Sequence, residues 1–294
     1  MEIFDVGDLL DERYELLEEI GAGAHGTVFR AVDREGGGEV AVKCLHPELA
    51  ANPGLKTRLE REARAMSALA GTSAAQVLAF GRTAAGNVYL VMELLHGRDL
   101  EATLREIEGE GGLLPVSRMA LLFAPIVETL GAAHGRGIIH RDLKPANIFV
   151  LEDASRGPVR LLDFGLAKDL AADPLTTKGA IAGSPAYIAP EVWVGKPNEL
   201  DHRLDVYSLG AVIFRALAGR PPFEAESRID LVVACMHGPR PSLAARRAEL
   251  PQAVDAWVER ALASSREARF QDVASLWAAL LDALGAALVG AGRR

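Results

Sequence analysis

The chain carries an unusual density of chemically capable side chains in His140-Arg141-Asp142-Leu143-Lys144-Pro145-Ala146-Asn147 and, shortly after, in Asp163-Phe164-Gly165. Asp142 and Asn147 stand five positions apart with a lysine between them. Phosphoryl transfer asks little covalent chemistry of a protein. It needs side chains that hold metal ions, cations for the phosphates, and a carboxylate aimed at the attacking oxygen. These residues can meet that need, so the rest of the chain is to be read for the parts that would position a nucleotide and an acceptor.

Upstream, Tyr14–Ile20 reads as a strand running into Gly21-Ala22-Gly23-Ala24-His25-Gly26-Thr27-Val28. The glycine spacing alone is weak: about 0.3 such triplets arise by chance when 29 of 294 residues are glycine. Its context is stronger. A dinucleotide-binding turn opens a helix, whereas here the glycines lead into the β-rich run Thr27–Val32. A Gly36-Gly37-Gly38 turn and a second strand, Glu39–Lys43, follow. A strand–glycine loop–strand hairpin folds backbone amides over phosphates, and Lys43 after it becomes a candidate phosphate ligand rather than an edge lysine.

Leu55 to Ala70 has helical periodicity, with Leu55, Leu59, Met66 and Leu69 on one face. Glu62 falls within that apolar stripe, where an unpaired carboxylate is costly, while Glu60 points away from it. Glu62 is therefore the expected partner of Lys43. Val88–Glu93 reads as a buried strand leading into a connector. Beyond Gly97 the chain becomes mainly helical. Glu108–Gly112 reads as a surface loop and Ser117–His134 as a long apolar helix in which Pro125 predicts a kink.

Composition restricts the alternatives. Forty acidic against 32 basic residues give a net charge of -8, which argues against a nucleic-acid or anionic-membrane binder. Cys44 and Cys235 lack metal-ligand spacing and read as buried thiols in a reducing compartment, and the histidines form no zinc pattern. The N-terminus lacks signal-peptide character. The apolar runs near Gly210–Leu217 and Ala283–Val289 are too short to span a bilayer. A cytoplasmic location is expected.

As an ordered set, the glycine loop, Val40-Ala41-Val42-Lys43, the helix glutamate, His-Arg-Asp, Asp-Phe-Gly and Ala189-Pro190-Glu191 resemble bacterial protein Ser/Thr kinases of the eukaryotic-like (Hanks-type) family. The resemblance runs from about residue 11 to 284 and leaves a short tail, 285–294. It implies an α+β, bilobal protein-kinase fold: a small β-rich N-lobe (about 11–92), a connector (93–97) and a larger α-helical C-lobe (about 98–284). ATP and Mg2+, with Mn2+ as an alternative ion, would occupy the cleft between the lobes.

By that resemblance, Asp142 orients the substrate hydroxyl and takes its proton, and Lys144 neutralises the γ-phosphate. Asn147 and Asp163 hold metal. Gly21, Ala22, Gly23, Ala24, His25 and Gly26 cover the phosphates that Lys43, held by Glu62, grips. Val28, Ala41 and Phe149 sandwich the adenine against Met92, Glu93 and Leu95. His140 is structural, Asp205 braces the catalytic loop, and Glu191 pairs with Arg269.

Lys144 and the Gly183–Glu191 platform point to Ser/Thr rather than Tyr substrates. Ser184 stands where the family usually has threonine, and Ala70–Gln76 replaces the usual His-Pro turn. Within the activation segment, Asp163 to Glu191, Thr176 and then Thr177 are expected autophosphorylation sites, with Arg141 and Lys168 as the phosphate pocket. The competing expectation is a nucleotide-binding pseudokinase scaffold. Expected partners are proteins presenting Ser or Thr, with no nucleic acid and no membrane segment in this chain.

Overall fold

The computed structural model describes residues 4–23, 26–46, 66, 68–83, 86–164, 185–194 and 200–285. Ala24, His25, Glu62 with most of its helix, Lys168, Thr176, Thr177 and Ser184 lie outside the described residues. The chain divides into two compact units, the first ending at His96 and the second beginning at Gly97.

The first unit is a six-stranded antiparallel sheet of order β1-β2-β3-β4-β6-β5. Its strands are β1 (Leu9–Leu10), β2 (Tyr14–Gly23), β3 (Gly26–Asp33), β4 (Glu39–Leu45), β5 (Val77–Arg82) and β6 (Val88–Glu93). Residues directly paired across antiparallel strands share a face, so the register sorts the side chains. Leu16, Phe29, Ala31, Val42, Tyr89 and Val91 pack on one face as the unit's core, covered by Leu10 and Phe4. The pairs Val28↔Lys43, Lys43↔Leu90 and Ala41↔Met92 put the nucleotide candidates together on the opposite face. Alternation in Val-Ala-Val-Lys thus separates core valines from ligand-facing Ala41 and Lys43.

The second unit opens with a small sheet, β7 (Gly97–Asp99), β8 (Ile148–Leu151) and β9 (Val159–Leu161). Among its described residues are eight helices: α1 (Leu100–Gly109), α2 (Val116–His134), α3 (Pro190–Trp193), α4 (Arg203–Ala218), α5 (Arg228–His237), α6 (Leu243–Arg246), α7 (Ala253–Ala261) and α8 (Val273–Leu284). Asp99 caps α1, accepting the Ala102 amide at 2.8 Å, and Asp272 caps α8 through the Ser275 amide at 2.6 Å. Helix α4 is buried from Leu204 to Leu217 and packs against α2, α7 and α8.

Three sequence expectations need correction. Glu108 and Gly109 are not loop but the last turn of α1, held there because Glu108 pairs with Arg215 of α4. The run Gly210–Leu217 is not uniformly apolar, since it contains Arg215. Helix α2, at 19 residues, is long and apolar enough by length and composition to cross a membrane, unlike the shorter runs singled out from the sequence. Its nine buried residues include Met119, Phe123, Ile126 and Leu130, and it packs against α4, α8 and β9, so it serves as a core helix here. It continues through Pro125, whose carbonyl accepts the Thr129 hydroxyl at 2.7 Å.

Candidate active site

In the first unit, β2 outruns the core. Every residue from Glu18 to Gly23 is exposed, and the hairpin closes with Gly23 opposite Gly26. Gly26 is required by the chain itself: with φ 157°, an added Cβ would lie 2.1 Å from the Cys44 carbonyl oxygen. Gly21 and Gly23 have no such reason. A Cβ at either would meet nothing within 4 Å among the described residues, so these positions leave room for close approach of a ligand to the backbone. The His46 ring donates to the Gly23 carbonyl at 3.0 Å and ties the flap to the end of β4.

Lys43 is buried on the sheet face that also carries Ala41, Leu90 and half-buried Val28 and Met92. At the end of β6 the Glu93 amide donates to Gln76 (3.0 Å), and the Glu93 carboxylate accepts the Gln76 amide (2.9 Å). This reciprocal pair anchors the unusual 70–76 turn, together with the Thr72 hydroxyl on the Leu69 carbonyl. The sequence assigned no role to the Glu93 side chain. With its amide engaged, Glu93 would present its carbonyl to a base edge, and Leu95 follows as a half-buried residue beyond the strand.

In the second unit the polar residues converge. The Lys144 ammonium lies 2.9 Å from the Asp142 carboxylate. Asn147 Nδ2 donates to the Asp142 carbonyl (2.7 Å) and to its carboxylate (3.2 Å). That orientation leaves the amide oxygen, a hard donor suited to Mg2+, on the side away from Asp142. Asn147 is fixed in turn by its carbonyl, which accepts the Leu162 amide at 2.8 Å. The β8–β9 ladder pairs Ile148 with Leu161, so Asp163 follows directly after the residue that holds Asn147. Asp163 sits at φ 50° and Arg141 at φ 64°, a left-handed backbone that non-glycine residues adopt at some cost and that clusters at functional sites. Half-buried Phe149 lies on β8, opposite Asp99.

The brace beneath this loop is Asp205, in the first turn of α4 and fully buried. One carboxylate oxygen accepts the His140 amide and the His134 ring, both at 2.8 Å, and the other accepts the Arg141 amide at 2.9 Å. Burial alone would raise the Asp205 carboxyl, but the His134 hydrogen bond, the adjacent histidines and the His140 amide outweigh it and hold it below the ordinary range. His140 is also fully buried. Its Nε2 donates to the Leu162 carbonyl (2.9 Å), its Nδ1 accepts the Asp142 amide (3.3 Å), and its ring lies 4.7 Å from that of Phe164. Burial pushes His140 below the usual histidine pKa against the pull of Asp205 and Asp142, so it acts as a neutral structural link.

The residues expected to form the substrate platform are anchored separately. Arg269 forms a bidentate pair with Glu191, both contacts 2.7 Å, and donates to the carbonyls of Ala263, Ser264 and Arg203. Sequence reasoning paired Asp205 with the loop and Glu191 with Arg269, and the structure brings both together. It missed the part His134 plays.

This sheet-and-helix arrangement, with an aspartate–lysine–asparagine loop braced from a buried helix acid, is that of the protein-kinase fold. Residues 14–271 match the protein kinase domain model, and the chain belongs to that family. It is 38% identical over 224 residues to the probable serine/threonine-protein kinase PknB of Corynebacterium glutamicum, covering 74% of this chain and 33% of that protein. It is 34% identical over 272 residues to PknL of Mycobacterium tuberculosis, covering 92% of this chain and 66% of that protein. The crystal structure of the Mycobacterium tuberculosis PknI kinase domain superposes with a TM-score of 0.75 at 26% identity, over 96% of this chain and 99% of that one. The chain therefore spans only a third of its Corynebacterium relative and about two thirds of PknL.

Proposed function

We propose that the chain is an ATP-dependent protein Ser/Thr kinase. The observation that carries this reading is the convergence of Lys144 and Asn147 on the Asp142 carboxylate, in a loop whose backbone is clamped by Asp205. In the reaction, a Ser or Thr hydroxyl oxygen attacks the γ-phosphorus, the bond to the β,γ-bridging oxygen breaks, and ADP leaves. Asp142 accepts a hydrogen bond from the attacking hydroxyl and orients it. As a carboxylate, it is a weak base, and it takes the proton as the new P–O bond forms. Lys144, already beside Asp142, offsets the negative charge on the transferring group. The chemistry Mg2+ would supply when bound is positive charge to offset the charge that develops on the phosphates. Asn147 and Asp163 are the residues to hold the ion, since both offer hard oxygens and the β8–β9 register keeps them neighbours.

The first unit would supply the nucleotide contacts. The glycine flap would lie over the phosphates, Lys43 would meet the α- and β-phosphates, and the Glu93–Leu95 backbone would meet the adenine edge. Autophosphorylation of Thr176 or Thr177, read out through Arg141 and Lys168, is the proposed activation step. The related proteins bear kinase names, and Lys43, Asp142, Asn147 and Asp163 are all present, so no observation favours a scaffold without turnover.

The test is Mg2+-dependent transfer of labelled γ-phosphate from ATP to a generic basic protein, followed by mass spectrometry of the enzyme itself. Labelled acceptor and a phosphorylated Thr176 or Thr177 peptide are the expected results. An enzyme that binds ATP but labels nothing would return the scaffold reading. Full activity in a Thr176→Ala/Thr177→Ala variant would remove the activation step alone.

A further inference from the structure

Strand β5 is an edge of its sheet, and its register sets Val77 opposite Met92 of β6. One step further along this antiparallel pair, Gln76 stands opposite Glu93, the last residue of β6. The Glu93 amide donates to the Gln76 carbonyl at 3.0 Å, as in a hydrogen-bonded pair. In a regular pair of that kind the two residues exchange both bonds, and the second amide returns to the first residue's carbonyl. Here the Gln76 amide donates to the Glu93 carboxylate, at 2.9 Å. The side chain takes the place in the ladder that the main-chain carbonyl of the same residue would hold.

Anchoring the 70–76 turn does not by itself call for this substitution. The Thr72 hydroxyl already donates to the Leu69 carbonyl at 2.7 Å and accepts the Ala74 amide at 3.2 Å, and Ala74 and Ala75 are buried. A regular Gln76–Glu93 pair would hold the turn's end with main-chain atoms alone. Glu93 is only 8% exposed, and burying a carboxylate costs more than burying an apolar side chain of similar size. What the carboxylate changes is where the main chain directs its hydrogen bonds, at the point where β6 gives way to Leu94 and Leu95.

We propose that the Glu93 carboxylate is a positioning residue that sets base specificity: by engaging the Gln76 amide, it commits the Glu93 carbonyl to the exocyclic amino group of adenine. The proposal rests on the kinase reading above, which sets adenine against the 93–95 backbone, and it names what selects an amino-bearing purine. A site built around such a hydrogen bond discriminates against a base that lacks the donor. Without the carboxylate, the Gln76 amide must find another acceptor. The carbonyl of residue 93 is the one that completes the regular pair, and the base then loses it.

The test compares dissociation constants, by titration calorimetry on the full chain, of ATP and of purine riboside triphosphate, both with Mg2+. The second nucleotide differs from ATP only in lacking the amino group. Wild type should prefer ATP by about tenfold, the scale of one hydrogen bond. Glu93→Ala should bring the two constants within about twofold of each other on that same scale. Glu93→Gln, whose amide oxygen can still accept the Gln76 amide, should keep the preference. Glu93→Asp keeps the charge but draws the acceptor back by one methylene, so it should lose the preference and serves if Glu93→Ala does not fold. Equal weakening of both nucleotides in these variants, with the preference intact, is the mark of a purely structural role and would overturn the proposal. A wild-type enzyme that binds the two equally and still transfers phosphate would overturn it too. A wild-type enzyme that binds neither and labels no acceptor would instead remove the kinase reading and this inference with it.

Discussion

The Asp205 carboxylate accepts the backbone amide of His140 at 2.8 Å across 65 residues of chain. Through this contact the loop that carries Asp142 inherits the rigidity of the most buried helix in the second unit. With the Arg141 amide bound to the other oxygen, the left-handed turn at Arg141 has its polar groups satisfied where strain would otherwise open it.

Asp205→Ala should therefore lower stability and activity together. Removing the carboxylate strands two buried amides and the His134 ring, at a cost of about 3 kcal/mol. Urea denaturation measures it. A change below about 0.5 kcal/mol, the scale of a neutral surface substitution, would show that the brace contributes nothing.

The protein should lose stability on mild acidification. Burial keeps His140 neutral in the folded state, with its pKa below the ordinary 6.5, whereas the unfolded chain takes up a proton near that value. The unfolded state then binds more protons, so stability falls as pH drops through about 6.5. Asp205 acts in a second, lower window. Its folded pKa is below the ordinary 3.8, so the stability it supplies is complete above 3.8 and is lost as pH falls through the folded value. Denaturation midpoints that stay flat from pH 7.5 to 5 would contradict the His140 assignment.

Arg269→Met should destabilise by about 3 kcal/mol, the cost of breaking a buried pair by removing one partner. Added to Glu191→Gln, it should cost less than the sum of the two, because both changes remove one interaction. Additive costs in the double-mutant cycle would mean the two residues act independently.

Product chemistry follows from Lys144, fixed 2.9 Å from Asp142. Phosphoserine and phosphothreonine are expected, with phosphotyrosine negligible. Phosphoamino-acid analysis dominated by phosphotyrosine would reverse the substrate class.

The sequence disclosed this site unevenly, and the reasons are physical. Asp142, Lys144, Asn147 and Asp163 were legible because polar residues of the right types stand close together in the chain. Lys43 was legible because strand alternation separates it from the core valines. Arg215 carried the same signal that singled out Glu62, a charge inside an apolar helix, yet the surrounding run was read as simply apolar. Its partners lie more than 100 residues away on α1, beyond any local pattern. Strand β5 escaped notice because Val77–Arg82 is incompletely buried and broken by Ala79 and Gly81. The second role of Glu93 escaped because its partner, Gln76, belongs to a turn with no periodicity.

The most direct measurement is phosphoryl transfer by Asp163→Asn beside wild type at saturating Mg2+ and ATP, with circular dichroism on both. An unchanged spectrum is expected, with turnover reduced by at least about a hundredfold, the loss of a metal-holding carboxylate from an electrostatically driven reaction. Wild-type turnover in a folded Asp163→Asn enzyme would contradict it.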